Sequence, residues 1–396
     1  MSLPMLARPR PVHRAADLLA AYLPGSFYFS SARGSLLADG VHAVVDAQHG
    51  SRALAAAELL DRTTGVEEPL VVGAIGFRHD AEASLVVPAV VRRAGAPTAA
   101  ERPVTPFLRS WDITPRPEPE VYARGVLRAL DLIGEGALRK VVLARCLELE
   151  ADEAVPVPAL LSRLVHADPA AHAFAVDVSA PGDPAPRTLV GASPELLVTR
   201  RGDTVTSNPL AGSVPRVADE GENRRRVAAL LKSEKDRAEH AYVSAQVAEV
   251  LGRSCVELNA PAEPVVIGTP TMWHLSTTVT GRLADPADPG SSALALAEAL
   301  HPTPAVCGVP VDHARDAIAG IEAADRGYYS GLVGWTDARG DGEWVVTIRN
   351  AEVCDRTVRL FAGAGIVAGS DPRAELAETS AKFRTMLRAL GLEDAV

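Results

Sequence analysis

Two rhythms of apolar residues run along this chain. Where apolar positions recur every three to four residues they mark helices. Val121, Val126, Leu127, Leu130 and Ile133 form one stripe, predicting a helix over 120–135. Short helices are expected over 53–60 and 312–324, and a long helical stretch over 219–251 in two pieces. The apolar helix over 291–300 should stop at His301-Pro302, because the residue before a proline is pushed out of the helical region. A last helix is expected over 372–390, with Ser370 or Asp371 as its cap and Pro372 at its first position. Alternating or unbroken apolar runs mark strands instead. Residues 26–45 read as strand, turn and strand; 70–77, 140–149 and 173–178 as single strands. Residues 188–208 read as two or three strands reversed at Arg201-Gly202-Asp203, and 269–283 as strand-like. A hairpin is expected from 343–353 and 357–361 around Cys354-Asp355-Arg356. Residues 1–15 read as a mobile tail, and the Pro- and Arg-rich 94–120 as an irregular crossing.

These strands come in hairpins rather than in strict β-α-β alternation, which predicts an α+β fold of antiparallel sheets flanked by helices. No internal repeat is present. The length of 396 residues allows about two to three domains or, equally, one large one. Hydrophobic residues are 47% and charged residues 23%, which excludes wholesale disorder and a small disulfide scaffold. Aromatics are only 4%, so the core must be mostly Ala, Val and Leu. The net charge of −10 argues against a nucleic-acid binder, while leaving room for a small anion in a locally cationic cleft. Cys146, Cys255, Cys307 and Cys354 are widely spaced with no C-x-x-C, as expected of reduced thiols in a cytoplasmic protein. The first twenty residues lack the apolar core of a signal peptide, and no apolar run is long enough to span a membrane.

Five places carry candidate chemistry. A strand ends in Gly363-Ala-Gly365, a glycine turn that could admit an anion to the backbone, and Glu375, Glu378 and Lys382 follow on one helix face. Asp236 and Glu239 form a second acidic pair at i, i+3; hard carboxylate oxygens on two helices suit Mg²⁺. Glu195 interrupts an apolar hairpin at Pro194, where desolvation would raise its pKa toward that of a general acid. Lys140 enters the apolar strand Val141-Val-Leu-Ala, fit for a base if desolvated. Alternation places Val345, Thr347 and Arg349 on one sheet face, where the arginine needs an anion such as a substrate carboxylate. Each has a plain structural alternative: a solvated acidic face, an exposed turn, a lysine at a strand end or an internal salt bridge. A dinucleotide fingerprint is a weak reading, since Gly363-x-Gly365-x-x-x-Gly369 has the wrong spacing and no second β-α-β half follows.

Together these segments resemble the chorismate-utilising enzymes. The resemblance rests on Lys140-Val-Val-Leu-Ala-Arg, Gly191-Ala-Ser-Pro-Glu195, Pro209-Leu-Ala-Gly-Ser213 and Ser233-Glu-Lys-Asp-Arg-Ala-Glu-His240. It continues through Met272-Trp-His-Leu-Ser276, His301-Pro-Thr-Pro-Ala-Val-Cys-Gly308, Gly327-Tyr-Tyr-Ser-Gly331, Thr347-Ile-Arg349 and Ala362-Gly-Ala-Gly-Ile-Val367, covering about 118–390. Phe27-Tyr-Phe-Ser-Ser-Ala-Arg-Gly-Ser-Leu36 extends it toward the isochorismate synthase branch.

The resemblance implies one large domain of two packed antiparallel sheets with helices outside, chorismate as substrate and Mg²⁺ as cofactor. It implies Lys140 as the base that activates water for attack at ring C2, and Glu195 as the acid that protonates the departing C4 hydroxyl. Glu239 and Glu378 would hold Mg²⁺, with Asp236 and Glu375 in support. Arg349 and Tyr329 would hold the enolpyruvyl carboxylate; Lys382, Gly363 and Gly365 would complete the anion site; Gly212, Ser213, His274 and Ala305 would line the pocket. Ala211 stands where aminodeoxychorismate synthases carry a nucleophilic lysine, and Ala305 where salicylate and anthranilate synthases usually carry threonine. Both favour isochorismate as product, with a salicylate synthase or a partner-dependent anthranilate-type subunit as alternatives. No glutaminase partner, nucleic acid or membrane is expected, and the family is usually monomeric.

Overall fold

The longest antiparallel ribbon sets the frame. Strand Lys140–Ala151 pairs with strand Thr357–Val367 from Lys140↔Val367 to Glu150↔Thr357. Nearly every residue of both is buried, which explains their continuous apolar runs. The structure is a computed structural model that describes residues 14–46, 50–78, 83–98 and 110–392. Of the tail expected over 1–15, residues 1–13 lie outside the described ones, and a helix begins at Ala15.

Pairing runs without a break through a 17-stranded sheet, and a three-stranded sheet stands apart. Every ladder described is antiparallel, as the hairpin-rich pattern predicts. An inner core of Phe27, Phe29, Leu70, Phe174, Leu189, Val333 and Val345 comes from strands alone, so sheet packs on sheet. Helices cover the outer surfaces. Ala15–Ala20, Val157–Ala167 and Pro372–Ala389 pack over one core; Arg52–Arg62, Glu234–Gly252 and Ala293–Leu300 over a second; Pro119–Gly134 and Val311–Ile321 over a third. The expected α+β architecture is therefore present: large curled antiparallel sheets with helices outside.

Several local expectations are corrected. The segment 94–120 is not wholly irregular: Trp111–Arg116 is a strand along the 140–151 strand, from Trp111↔Ala151 to Arg116↔Cys146. Strand Ala83–Ala94 joins Gly34–Val44 to Leu70–Ile75 and was not anticipated, nor were helix Val157–Ala167 and strand Leu332–Asp337. The 343–353 strand is two strands, Gly342–Val346 and Asn350–Cys354, separated by Thr347–Arg349. Glu195 does not sit in a hairpin. Strand Arg187–Ser193 pairs with His172–Asp177 and Asn350–Cys354, whereas Leu196–Arg201 pairs with Thr204–Asn208 and Gly342–Val346. Pro194-Glu195 thus steps the chain from one set of partners to another, at a proline that has no N–H to give to a ladder. All four cysteines are free thiols.

Candidate active site

The site forms where four parts of the fold converge: the 140–151 and 357–367 ribbon, the Pro194-Glu195 step, the small sheet, and helices Glu234–Gly252 and Pro372–Ala389. Both helices start firmly. The Ser233 hydroxyl accepts from the Asp236 N–H at 3.2 Å, and the Asp371 carboxylate accepts from the N–H groups of Arg373 and Ala374 at 3.0 and 2.9 Å. Those caps fix the turns from which Glu239 and Glu378 project. The cavity there is small, about 40 Å³, and its walls include Glu195, Glu239, Glu378, Lys382, Arg349, Tyr329 and His274.

Lysine–carboxylate pairs surround it. Lys140 is wholly buried, and its Nζ lies 3.0 Å from Glu239 Oε1. Lys140 is not itself on the cavity wall; it reaches it through Glu239. Lys382 Nζ lies 2.6 Å from Glu378 Oε1 and donates to the Gly363 carbonyl at 2.8 Å. Lys235, on the same helix as Glu239, pairs with the buried Glu375 at 2.7 Å and ties the two acidic helices together. Burial pushes the Glu239 carboxyl up, but Lys140, Lys382 and Lys235 outweigh it and hold Glu239 below the usual carboxylate range. Asp236 and Glu375 are raised, first by burial and then by the neighbouring carboxylates. Neither lies on the cavity wall, which places them behind Glu239 and Glu378.

The two glycines of 363–365 are not a turn, as the sequence suggested, but lie within the 357–367 strand opposite Ala144 and Val142. Their role is to lack a side chain. A Cβ on Gly365 would fall 2.0 Å from Glu239 Oε1 and 3.1 Å from Lys140 Cε. A Cβ on Gly363 would fall 3.0 Å from the Tyr329 hydroxyl.

Glu195 is 3% exposed. Its carboxyl is pushed up to about 7 by burial, against the opposing pull of the Leu210 N–H, Lys140, Arg349 and Lys382. It therefore holds a proton over part of the neutral range, as a general acid must. Arg349 is buried and lies on the wall, but not through strand alternation. It follows the break after Val346 with a left-handed φ of 54°, a conformation costly for a residue with a Cβ. Its guanidinium is lowered by burial and makes no ion pair within 4 Å among the described residues. Tyr329 is held by stacking on Phe361, with ring centroids 5.2 Å apart.

The three-stranded sheet supplies the remaining wall. Strand Leu210–Pro215 pairs with Met272–Ser276 and places Ser213 opposite His274, with an irregularity between Ala211 and Ser213 where Gly212 turns to φ 74°. Ser213 Oγ lies 2.7 Å from His274 Nδ1, while the buried Nε2 has no partner within the described protein. Burial, with Arg349 and Lys382 nearby, drives His274 well below its ordinary pKa, so it faces the cavity as a neutral ring. Ala211 and Ala305 also line the wall.

One buttress was not anticipated. Arg326, 3% exposed, donates to the carbonyls of Val306 and Val142 at 2.7 and 2.8 Å and pairs with Glu322 at 2.5 Å. It also lies over the rings of Phe77 and Tyr329. Its sequence signal is the i, i+4 Glu322–Arg326 pair just before Gly327-Tyr-Tyr. Val142, Leu210, Val306 and Ile348 complete the wall and carried no chemical signal.

Among the described residues no three His, Cys, Asp or Glu side chains gather as a metal cage. What the site offers instead is two carboxylates, Glu239 and Glu378, on facing helices beside a cavity. That donor set fits Mg²⁺, which takes one or two protein carboxylates and completes its shell with water and substrate oxygens.

The chain belongs to the chorismate binding enzymes: the family profile of that description matches residues 80–391. Within it, the chain is 48% identical to the isochorismate synthase DhbC of Bacillus subtilis (strain 168), over 96% of this chain and 97% of the relative. It is 42% identical to the vibriobactin-specific isochorismate synthase of Vibrio cholerae, over 93% of this chain and 92% of the relative. A crystal structure described as a 2,3-dihydroxybenzoate-specific isochorismate synthase from Bacillus anthracis superposes with a TM-score of 0.90 at 44% identity, covering 96% and 99% of the two chains. Among the described residues no helix is long and apolar enough to cross a membrane.

Proposed function

We propose that this protein is an isochorismate synthase that adds water at C2 of chorismate as the C4 hydroxyl leaves, supplying a catechol siderophore route. The observation that carries this reading is a buried, proton-holding Glu195 on the wall of a cavity that also presents Glu239, ion-paired to the buried Lys140, with alanine at 211 and 305. Lys140 takes the proton of the incoming water. Glu195 gives its proton to the departing hydroxyl, so one water enters, one leaves, and the product is an isomer. The acid works protonated and the base unprotonated, so the Lys140 proton that faces Glu239 must leave before the lysine can act. Arg349 and Tyr329 receive the enolpyruvyl carboxylate, and His274, neutral with a free Nε2, offers a further polar contact. Glu239 and Glu378 would hold Mg²⁺, with Asp236 and Glu375 behind them. When bound, the metal neutralises and orients the ring carboxylate. With water as the nucleophile, no ammonia-supplying partner is needed.

Purified protein incubated with chorismate and Mg²⁺ should yield isochorismate without ammonia and without stoichiometric pyruvate. Pyruvate released as fast as chorismate disappears would make it a salicylate synthase instead. Product formed only with ammonia would make it an anthranilate-type subunit. The metal assignment has its own test. Glu239→Ala should raise the Mg²⁺ concentration for half-maximal rate by about 10- to 100-fold or more. It should also lower stability by about 3–5 kcal/mol, because Lys140 loses its buried partner. An unchanged Mg²⁺ titration removes Glu239 from the metal.

A further inference from the structure

A second, larger cavity of about 440 Å³ adjoins the first, and the two share Pro194 and Arg349 as wall. The inner space is much the smaller, about 40 Å³. The outer one is already in the size range of small-molecule pockets. Its charge is opposite to that of the whole chain. Among the described residues, Arg163, Arg388 and Arg349 line it with one carboxylate, Asp168, although the protein carries a net −10. Arg388 is exposed and makes no ion pair among the described residues. Thr271 and Thr385, 3.1 Å apart at their hydroxyls, link the start of the Met272–Ser276 strand to the helix that bears Glu378 and Lys382.

From these observations we infer that the outer cavity is an anion-gathering vestibule through which the dicarboxylate substrate reaches the inner site, with Arg388 concentrating it and Arg349 passing it inward. This rests on the proposed function for the identity of the dianion, and on the shared wall and the local charge for the route. Local positive potential at a cleft mouth raises the concentration of an anion there, and salt screens the effect.

Two measurements test it on the full-length enzyme. Ala167 is exposed and lines the vestibule, so Ala167→Cys places a thiol there. The parent protein gives the background from the four native thiols. The ratio of alkylation by iodoacetate to that by iodoacetamide should exceed the ratio for free cysteine several-fold at low salt. It should fall toward that ratio with Arg388→Ala added. In turnover, Arg388→Ala should raise KM about three- to tenfold at low salt with kcat unchanged, and the difference should vanish at high salt, as expected for a screened charge. An alkylation ratio equal to that of free cysteine overturns the proposal, because the cavity is then not anion-gathering. A high ratio with KM and its salt dependence unchanged also overturns it, because the cavity is then off the route. Absence of any turnover of chorismate by the unmodified enzyme would refute the proposed function alone, and the alkylation ratio would still decide whether the vestibule gathers anions.

Discussion

Glu195→Gln should lower kcat by about 10²–10⁴-fold while leaving the fold intact. The change is nearly isosteric, and the amide keeps a carbonyl oxygen to accept from the Leu210 N–H that now meets the carboxyl. It removes only the proton that the departing hydroxyl requires. Melting temperature should change little, since a side chain that burial already pushes toward neutrality is replaced by a neutral one. The wild type should show the same group in its pH profile. A general acid works only while protonated, so kcat/KM should fall as pH rises through about 7, the value to which burial pushes Glu195. The residual activity of Glu195→Gln should lack that limb. Near-normal turnover of the variant, or an alkaline limb that persists in it, would take Glu195 out of the chemistry.

How much of this was readable in the sequence differs residue by residue. Lys140 and Glu195 stand out because a charge inside an apolar run is an anomaly that the hydrophobic pattern itself exposes. Both prove buried beside the cavity. The acidic helix faces were legible from i, i+3 spacing, yet spacing could not rank them. Only the packing shows Glu239 and Glu378 on the wall, with Asp236 and Glu375 behind it. Arg349 was singled out on alternation that the fold does not follow. The ladder breaks after Val346, and a left-handed residue rather than strand periodicity brings the guanidinium inward. Strand Trp111–Arg116 shows the opposite case. Its exposure alternates strictly, so the period-two signal was present, but Pro115 and the surrounding arginines masked it. The small sheet of Leu210–Pro215, Met272–Ser276 and Val265–Gly268 was only partly visible. Its strands are short, and Leu210–Pro215 joins the hairpin of Val265–Gly268 and Met272–Ser276 from a distant stretch of chain, so no local pattern announces that Ser213 will meet His274.

The glycines of the 357–367 strand were misread as a turn because glycine is the usual residue of turns, and their actual role yields the sharpest steric prediction. Gly365→Ala adds one methyl group. That methyl would sit 2.0 Å from Glu239 Oε1, far inside contact distance, and 3.1 Å from Lys140 Cε. The strand cannot retreat, because Gly365 lies within an unbroken ladder opposite Val142. Glu239 must therefore swing away, and Lys140 loses its 3.0 Å partner in a site where it is wholly buried. Overpacking of this kind costs about 1–3 kcal/mol of stability. Displacing a site carboxylate by an ångström costs about 10²-fold in kcat/KM, and the Mg²⁺ dependence should weaken along with the rate. Gly320→Ala is the matched control. It lies in the Val311–Ile321 helix with nothing within 4 Å of the added methyl, so it should leave activity unchanged and stabilise slightly. If Gly365→Ala melted like Gly320→Ala and kept its rate, Glu239 and Lys140 could not be crowded against that strand in the working enzyme. The metal site assigned to Glu239 would then have to be moved elsewhere.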